Sequence, residues 1–209
     1  MKKSFFYLFV ASSIVGVLFF NGSSKENLLG YQVGALVEDF DLPNIDGKNV
    51  SLADYTDAKG FIVIFTCNTC PYAKAYESRI IDLDKNYASK GYPVIAINPN
   101  DINQQPDDSM GKMIKRAAQK GYTFPYLRDD SQQVTKAFGA TKTPHIYLIN
   151  KEEIGLRVEY IGAIDNSPRE AADVTETFLE DAIKSLMNGQ KPTIKEKRAI
   201  GCTIKWLDA

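Results

Sequence analysis

Phe61-Ile62-Val63-Ile64-Phe65 is an unbroken apolar run, rich in β-branched and aromatic residues, that follows Gly60. It is too short for a core helix and reads as a strand buried on both faces. A sheet built around such a strand needs covering layers above and below it. Directly after the run stands Cys67-Asn68-Thr69-Cys70. Pro71 suits the first turn of a helix, and Tyr72, Tyr76, Ile80, Leu83 and Tyr87 recur at helical spacing until Gly91 closes the segment. The chain is thus expected to pass from a central strand straight into a helix, with two cysteines on the turn.

The other segments extend this alternation. Val37 to Leu42 predicts one strand, Asn44-Ile45-Asp46-Gly47 a turn, and Lys48 to Leu52 the returning strand of an N-terminal β-hairpin extension. Pro93 to Ile97 is a second buried strand. Asp108 or Ser109 can cap a helix that Gly121 stops. A strand at Phe124–Leu127, a turn at Asp129-Asp130 and a short helix from Gln132 to Phe138 follow. His145–Ile149 and Leu156–Ile161 form an antiparallel pair around a turn at Asn150–Glu153. Pro168 is placed to open a last helix that ends near Gly189. Strand–helix–strand connections make parallel neighbours, so the fold class is α/β: a central mixed β-sheet flanked by helices. The predicted domain covers 33–189, and a tail, 190–209, is expected to pack on it.

Lys2 and Lys3 precede an apolar run from Phe5 to Phe20, and a small polar stretch from Asn21 to Ser24 follows. That is the layout of a signal peptide or an N-terminal membrane anchor over 1–24. It predicts an extracytoplasmic location, in the periplasm or at the outer face of the cytoplasmic membrane, with the membrane touched only through this segment if it is uncleaved. Disulfides persist there. Lys and Arg total 25 against 26 Asp and Glu, so there is no broad basic field for nucleic acid. Three cysteines and one histidine leave a short list of groups for chemistry.

Cys67 and Cys70 head that list. Two intervening residues on a tight turn bring both sulfurs within bonding range, and unsatisfied N–H groups at a helix N-terminus favour a thiolate. Cys67 is expected to be exposed and to attack; Cys70, further into the helix, is expected to resolve the mixed disulfide. The two would form a redox-active disulfide. Thr143-Pro144 stands just before the strand at His145. In a fold of this order a cis proline there would lie beside the cysteines, and the Thr143 backbone could pair with an extended substrate. Thr143 and Pro144 are the candidate substrate-binding residues.

These features, with Cys70-Pro71-Tyr72, Asn98-Pro99-Asn100-Asp101, Phe124-Pro125-Tyr126-Leu127-Arg128-Asp129 and Gly201-Cys202-Thr203-Ile204-Lys205-Trp206, resemble the thioredoxin-like superfamily. More narrowly they resemble its redoxin branch of alkyl hydroperoxide reductase and thiol-specific antioxidant proteins, in a peroxiredoxin-like subgroup carrying C-x-x-C. The resemblance implies a thioredoxin-like fold, thiol chemistry and no cofactor. The departures are specific. Where peroxiredoxins have proline and a hydroxyl residue, this chain has Val63 and Cys67. Where thioredoxin has its buried aspartate and its tryptophan, it has Phe61 and Thr66. Lys142 stands where the subgroup often has a cysteine.

The function expected is a thiol-disulfide oxidoreductase of the cell envelope, working on a protein or small-molecule disulfide with a separate electron donor. A thiol peroxidase and a non-catalytic metal- or partner-binding module are the alternatives. The metal alternative would use Cys67, Cys70, His145 and Cys202; no metal is the expectation. Cys202 is either an inert buried thiol or a free one that joins exchange or pairs with another chain. Asn98 to Asp101 form either a crevice or a turn. Arg128 reads as a surface or loop charge, and His145 as a strand-end residue.

Overall fold

The computed structural model describes residues 30–207; the expected signal peptide or anchor at 1–24 lies outside the described residues. The chain forms β1 (Leu36–Val37), β2 (Asp41–Pro43), β3 (Asn49–Ser51), β4 (Gly60–Phe65), α1 (Pro71–Tyr87), β5 (Val94–Asn98) and α2 (Met110–Lys120). It continues through β6 (Tyr126–Arg128), α3 (Gln133–Phe138), β7 (Lys142–Thr143), β8 (His145–Glu152), β9 (Gly155–Gly162), α4 (Phe178–Met187) and β10 (Cys202–Thr203). Six strands make the main sheet in the order β1-β9-β8-β4-β5-β6. β4, β5 and β6 run parallel, while on the other side of β4 strand β8 runs antiparallel to it and β9 antiparallel to β8.

All six residues of β4 are buried. Successive side chains leave a strand on opposite faces. Ile62 and Ile64 therefore join Tyr76, Leu83, Met113, Leu179 and Ile183 of α1, α2 and α4 in one half of the core. Phe61, Val63 and Phe65 join Phe138 of α3 and Leu42 and Leu52 around the hairpin in the other half. Each such side chain contributes about 1.5–3 kcal/mol by leaving water. The rigid strand between two packed layers is what fixes the position of the turn at its C-terminal end.

Two predicted elements differ. The single strand over 37–42 is split: β1 pairs with β9 at the sheet edge, whereas β2 pairs with β3 in the hairpin. Asp39 sits at the break, where its carboxylate accepts the N–H groups of Phe40 and Leu52, both at 2.8 Å. The last helix begins at Phe178, not at Pro168. Asn166 holds the intervening chain as a loop: its Oδ1 accepts the N–H groups of Thr175 at 3.0 Å and Glu176 at 3.1 Å, while its Nδ2 donates to the Thr175 hydroxyl at 2.7 Å.

The tail lies along the domain in two places. Ile161 N–H donates to Lys195 O and Lys197 N–H to Ile161 O, both at 3.0 Å. Farther on, β10 pairs antiparallel with β7, Cys202 opposite Thr143 and Thr203 opposite Lys142. Lys205 closes the path: its N–H donates to Asn100 Oδ1 at 2.9 Å and its carbonyl accepts Asp101 N–H at 2.9 Å.

Candidate active site

Helix α1 starts where β4 runs out, and Cys70 is its N-cap with Pro71 following. Cys70 is thus the first boundary residue of the helix, not a residue inside it. Its N–H donates back to Cys67 Sγ at 3.4 Å, one of the orphan donors a helix start leaves free. The expected exposure of Cys67 is overturned. Cys67 is 4% exposed and Cys70 3%, because the segments around Thr143 and Cys202 close over them. All three cysteines are free thiols.

The Thr143-Pro144 peptide, whose isomer the sequence left open, is cis. Thr143 reaches both sulfurs. Its hydroxyl lies 3.2 Å from Cys67 Sγ, and its carbonyl accepts Cys70 S–H at 3.1 Å. The edge proposed for an extended substrate, however, is already paired: Thr143 is fully buried and its partner is Cys202 of the same chain. Thr143 and Pro144 are therefore next to the cysteines but closed to a second strand in this arrangement.

Cys67 and Cys70 are neighbours on one turn, and their coupling lowers Cys70 from its ordinary value to about 7 while, together with burial, it pushes Cys67 far up. Physically the pair shares one proton, so one negative charge is available near neutrality. On Cys70 the charge would accept the Cys202 N–H but would also face the Thr143 carbonyl oxygen. On Cys67 it would accept the Cys70 N–H and the Thr143 hydroxyl, against the field of the Asp108 carboxylate. Cys67 thus has two donors directed at it, and Cys70 one donor and one acceptor.

A residue that the sequence offered only as a helix cap organises the turn. Asp108 is fully buried. Its Oδ1 accepts Asn68 N–H at 2.7 Å and the Asn98 amide at 3.2 Å, and its Oδ2 accepts the Asn100 amide at 2.7 Å and the Thr69 hydroxyl at 3.1 Å. Tyr126 OH donates to Asn68 Oδ1 at 3.1 Å. Both residues between the cysteines are therefore tied to one carboxylate. Asn98, Asn100 and Asp101 form this buried web and the seat of the tail, so the crevice alternative fails. Arg128 is 3% exposed, not a surface charge; its guanidinium donates to the carbonyls of Asn98, Asn100 and Asp108 and to Asp130.

His145 is a strand residue whose Nδ1 accepts Thr141 N–H at 3.3 Å. Among the described residues no group of three or more His, Cys, Asp or Glu is arranged to hold a metal ion. Burial lowers the imidazole from 6.5 to about 4. Unfolded, it takes a proton below about 6.5; folded, it stays neutral down to about 4. The unfolded chain holds the extra proton between those values, so stability falls as pH drops through that window. For this partly exposed ring the expected loss is about 2 kcal/mol. Urea titrations at several pH values check this, and His145→Phe should remove that component of the acid loss.

A buried strand that delivers a C-x-x-C turn to a helix start, beneath a cis-proline loop, defines a thioredoxin-fold dithiol protein. Residues 33–160 match the AhpC/TSA family, and the chain belongs to it. The crystal structure of an uncharacterized conserved protein from Geobacillus kaustophilus is similar, with 35% identity, a TM-score of 0.78, and coverage of 88% of this chain and 95% of that one. The thiol-disulfide oxidoreductase ResA of Geobacillus thermodenitrificans is 29% identical over 122 residues, 57% of this chain and 64% of that protein. A Mycobacterium tuberculosis protein named as a peroxiredoxin is 29% identical over 108 residues, 52% of this chain and 64% of that one. The chain thus spans a little under two thirds of the length of these two curated relatives.

Proposed function

We propose that this protein is a thiol-disulfide oxidoreductase of the cell envelope that exchanges disulfides through Cys67 and Cys70. The observation that carries the reading is the C-x-x-C turn itself, which places the Cys70 N–H and the Thr143 hydroxyl on Cys67 Sγ. Cys67 thiolate attacks a disulfide of a protein or small molecule, forming a mixed disulfide and releasing one thiolate. Cys70 then gives up its proton and attacks Cys67, which frees the second thiol and leaves a Cys67–Cys70 bond. A separate electron donor returns the pair to the dithiol. The lysine-flanked apolar segment near the N-terminus supports the envelope location, and similarity to ResA supports the chemistry.

The peroxidase alternative finds less support at the sulfurs. Val63 and Cys67 replace the proline and hydroxyl of the peroxiredoxin pattern, and Arg128 spends its donors on backbone carbonyls and Asp130.

With dithiothreitol as donor, the full chain is expected to accelerate insulin disulfide reduction. Cys67→Ser should cut that rate at least about a hundredfold. Cys70→Ser should instead accumulate a mixed disulfide at Cys67, visible by mass spectrometry without reduction. A Cys67→Ser protein with full activity would remove this reading.

A further inference from the structure

The third cysteine has no part in that cycle, yet the fold delivers it to the same place. β10 puts Cys202 opposite Thr143. From there its N–H donates to Cys70 Sγ at 3.3 Å, across 132 positions of sequence. Three bonds separate that nitrogen from the sulfur of Cys202. Cys202 packs on the cluster formed by Cys67, Cys70 and Ala73.

The approach is enforced from both ends. Gly201 lies so close to the cis-proline loop that a Cβ there would come within 2.2 Å of Thr143 O. Beyond Cys202, Ile204 is 2% exposed and its N–H donates to Thr141 O at 3.3 Å. Gln132 holds the next residues, its amide donating to Lys205 O and its Oε1 accepting Leu207 N–H, both at 2.8 Å. Gln132 itself has a left-handed φ of 58°, a conformation that costs a non-glycine residue free energy. Of the three thiols, Cys202 alone is more than marginally accessible to solvent.

We propose that Cys202 is a third redox thiol of this site, which takes over the disulfide of the Cys67–Cys70 pair as a Cys70–Cys202 bond. The proposal rests on the dithiol reading above. The step is an exchange within one chain. Cys202, as thiolate, attacks Cys70 Sγ; the Cys67–Cys70 bond breaks as the Cys70–Cys202 bond forms. The electron pair leaves on Cys67, and the proton given up by Cys202 ends there. One disulfide is lost and one gained, so the partner disulfide that oxidised the pair is the only oxidant required. Cys67 is suited to leave, because the Cys70 N–H and the Thr143 hydroxyl face it. The product has a free Cys67 and a tail covalently fastened over Cys70.

The test is a disulfide map of the full chain after oxidation by glutathione disulfide, with acid quenching, alkylation of free thiols and digestion without reduction. Wild type is expected to yield the 70–202 linked peptide alongside the 67–70 form. Cys67→Ser should yield the 70–202 peptide as its main linked form, and Cys202→Ser only 67–70. Oxidised wild type that carries the 67–70 bond alone, with Cys202 alkylated, overturns the proposal, whatever Cys67→Ser shows. Failure of Cys202→Ser to form the 67–70 bond is a different result: it removes the oxidoreductase reading itself.

Discussion

Asp108→Ala is expected to lower folding stability by about 4 kcal/mol, at about 1 kcal/mol for each of four donors left without an acceptor. The donors are the Asn68 N–H, the Thr69 hydroxyl and the amides of Asn98 and Asn100. All but the Thr69 hydroxyl belong to buried residues, so water cannot easily replace the lost oxygens. Asp108→Asn keeps the shape but turns two hydrogens toward donors, and about half the loss is expected to remain. Urea midpoints at constant slope measure both. The same variants should also speed alkylation of Cys67, because Asn68 and Thr69 would no longer be held. A loss below about 1 kcal/mol for the alanine variant would mean that the β4–α1 junction, not this carboxylate, shapes the turn.

The second large effect is expected at Gly201→Ala. The added methyl would stand 2.2 Å from the Thr143 carbonyl oxygen and 2.6 Å from its carbon. Both are backbone atoms in a packed loop and cannot swing aside. β10 must lift from β7, which removes the pairing at Thr143 and the Cys202 N–H from Cys70 Sγ. Those contacts are worth about 2 kcal/mol together, so alkylation of Cys70 should become roughly thirtyfold faster. An unchanged rate would show that the tail does not guard the dithiol.

The parts of this molecule written in local pattern are legible in the sequence. Phe61–Phe65 had the composition of a two-sided strand, and Cys67 to Pro71 announced the turn into a helix. The place of Thr143-Pro144 beside the cysteines followed from the element order, while the cis isomer itself is a fact of the structure. What escaped was set by distant partners. Asp108 looked like a helix cap because its role depends on Asn68, some 40 positions earlier in the chain. Arg128 looked exposed because nothing adjacent to it reveals three carbonyls converging from Asn98, Asn100 and Asp108. Pro168 looked like a helix start, but side chains such as Asn166 and Asp165 hold that stretch as a loop. Val37 to Leu42 read as one strand because alternation says nothing about which neighbour each half will join. A polar cluster directly after a buried strand, Asn98-Pro99-Asn100-Asp101, was the one available hint of the web around Asp108.

The docked tail carries the chain's single tryptophan. Trp206 rests against the hydrophobic half that contains Phe65 and Phe138, with its carbonyl accepting the Gln104 amide. Nature has thereby placed the molecule's only indole on the segment that covers the sulfurs. Ultraviolet emission from the unlabelled protein should redden whenever the flap detaches, so a plain fluorimeter can follow the uncovering of the dithiol in real time.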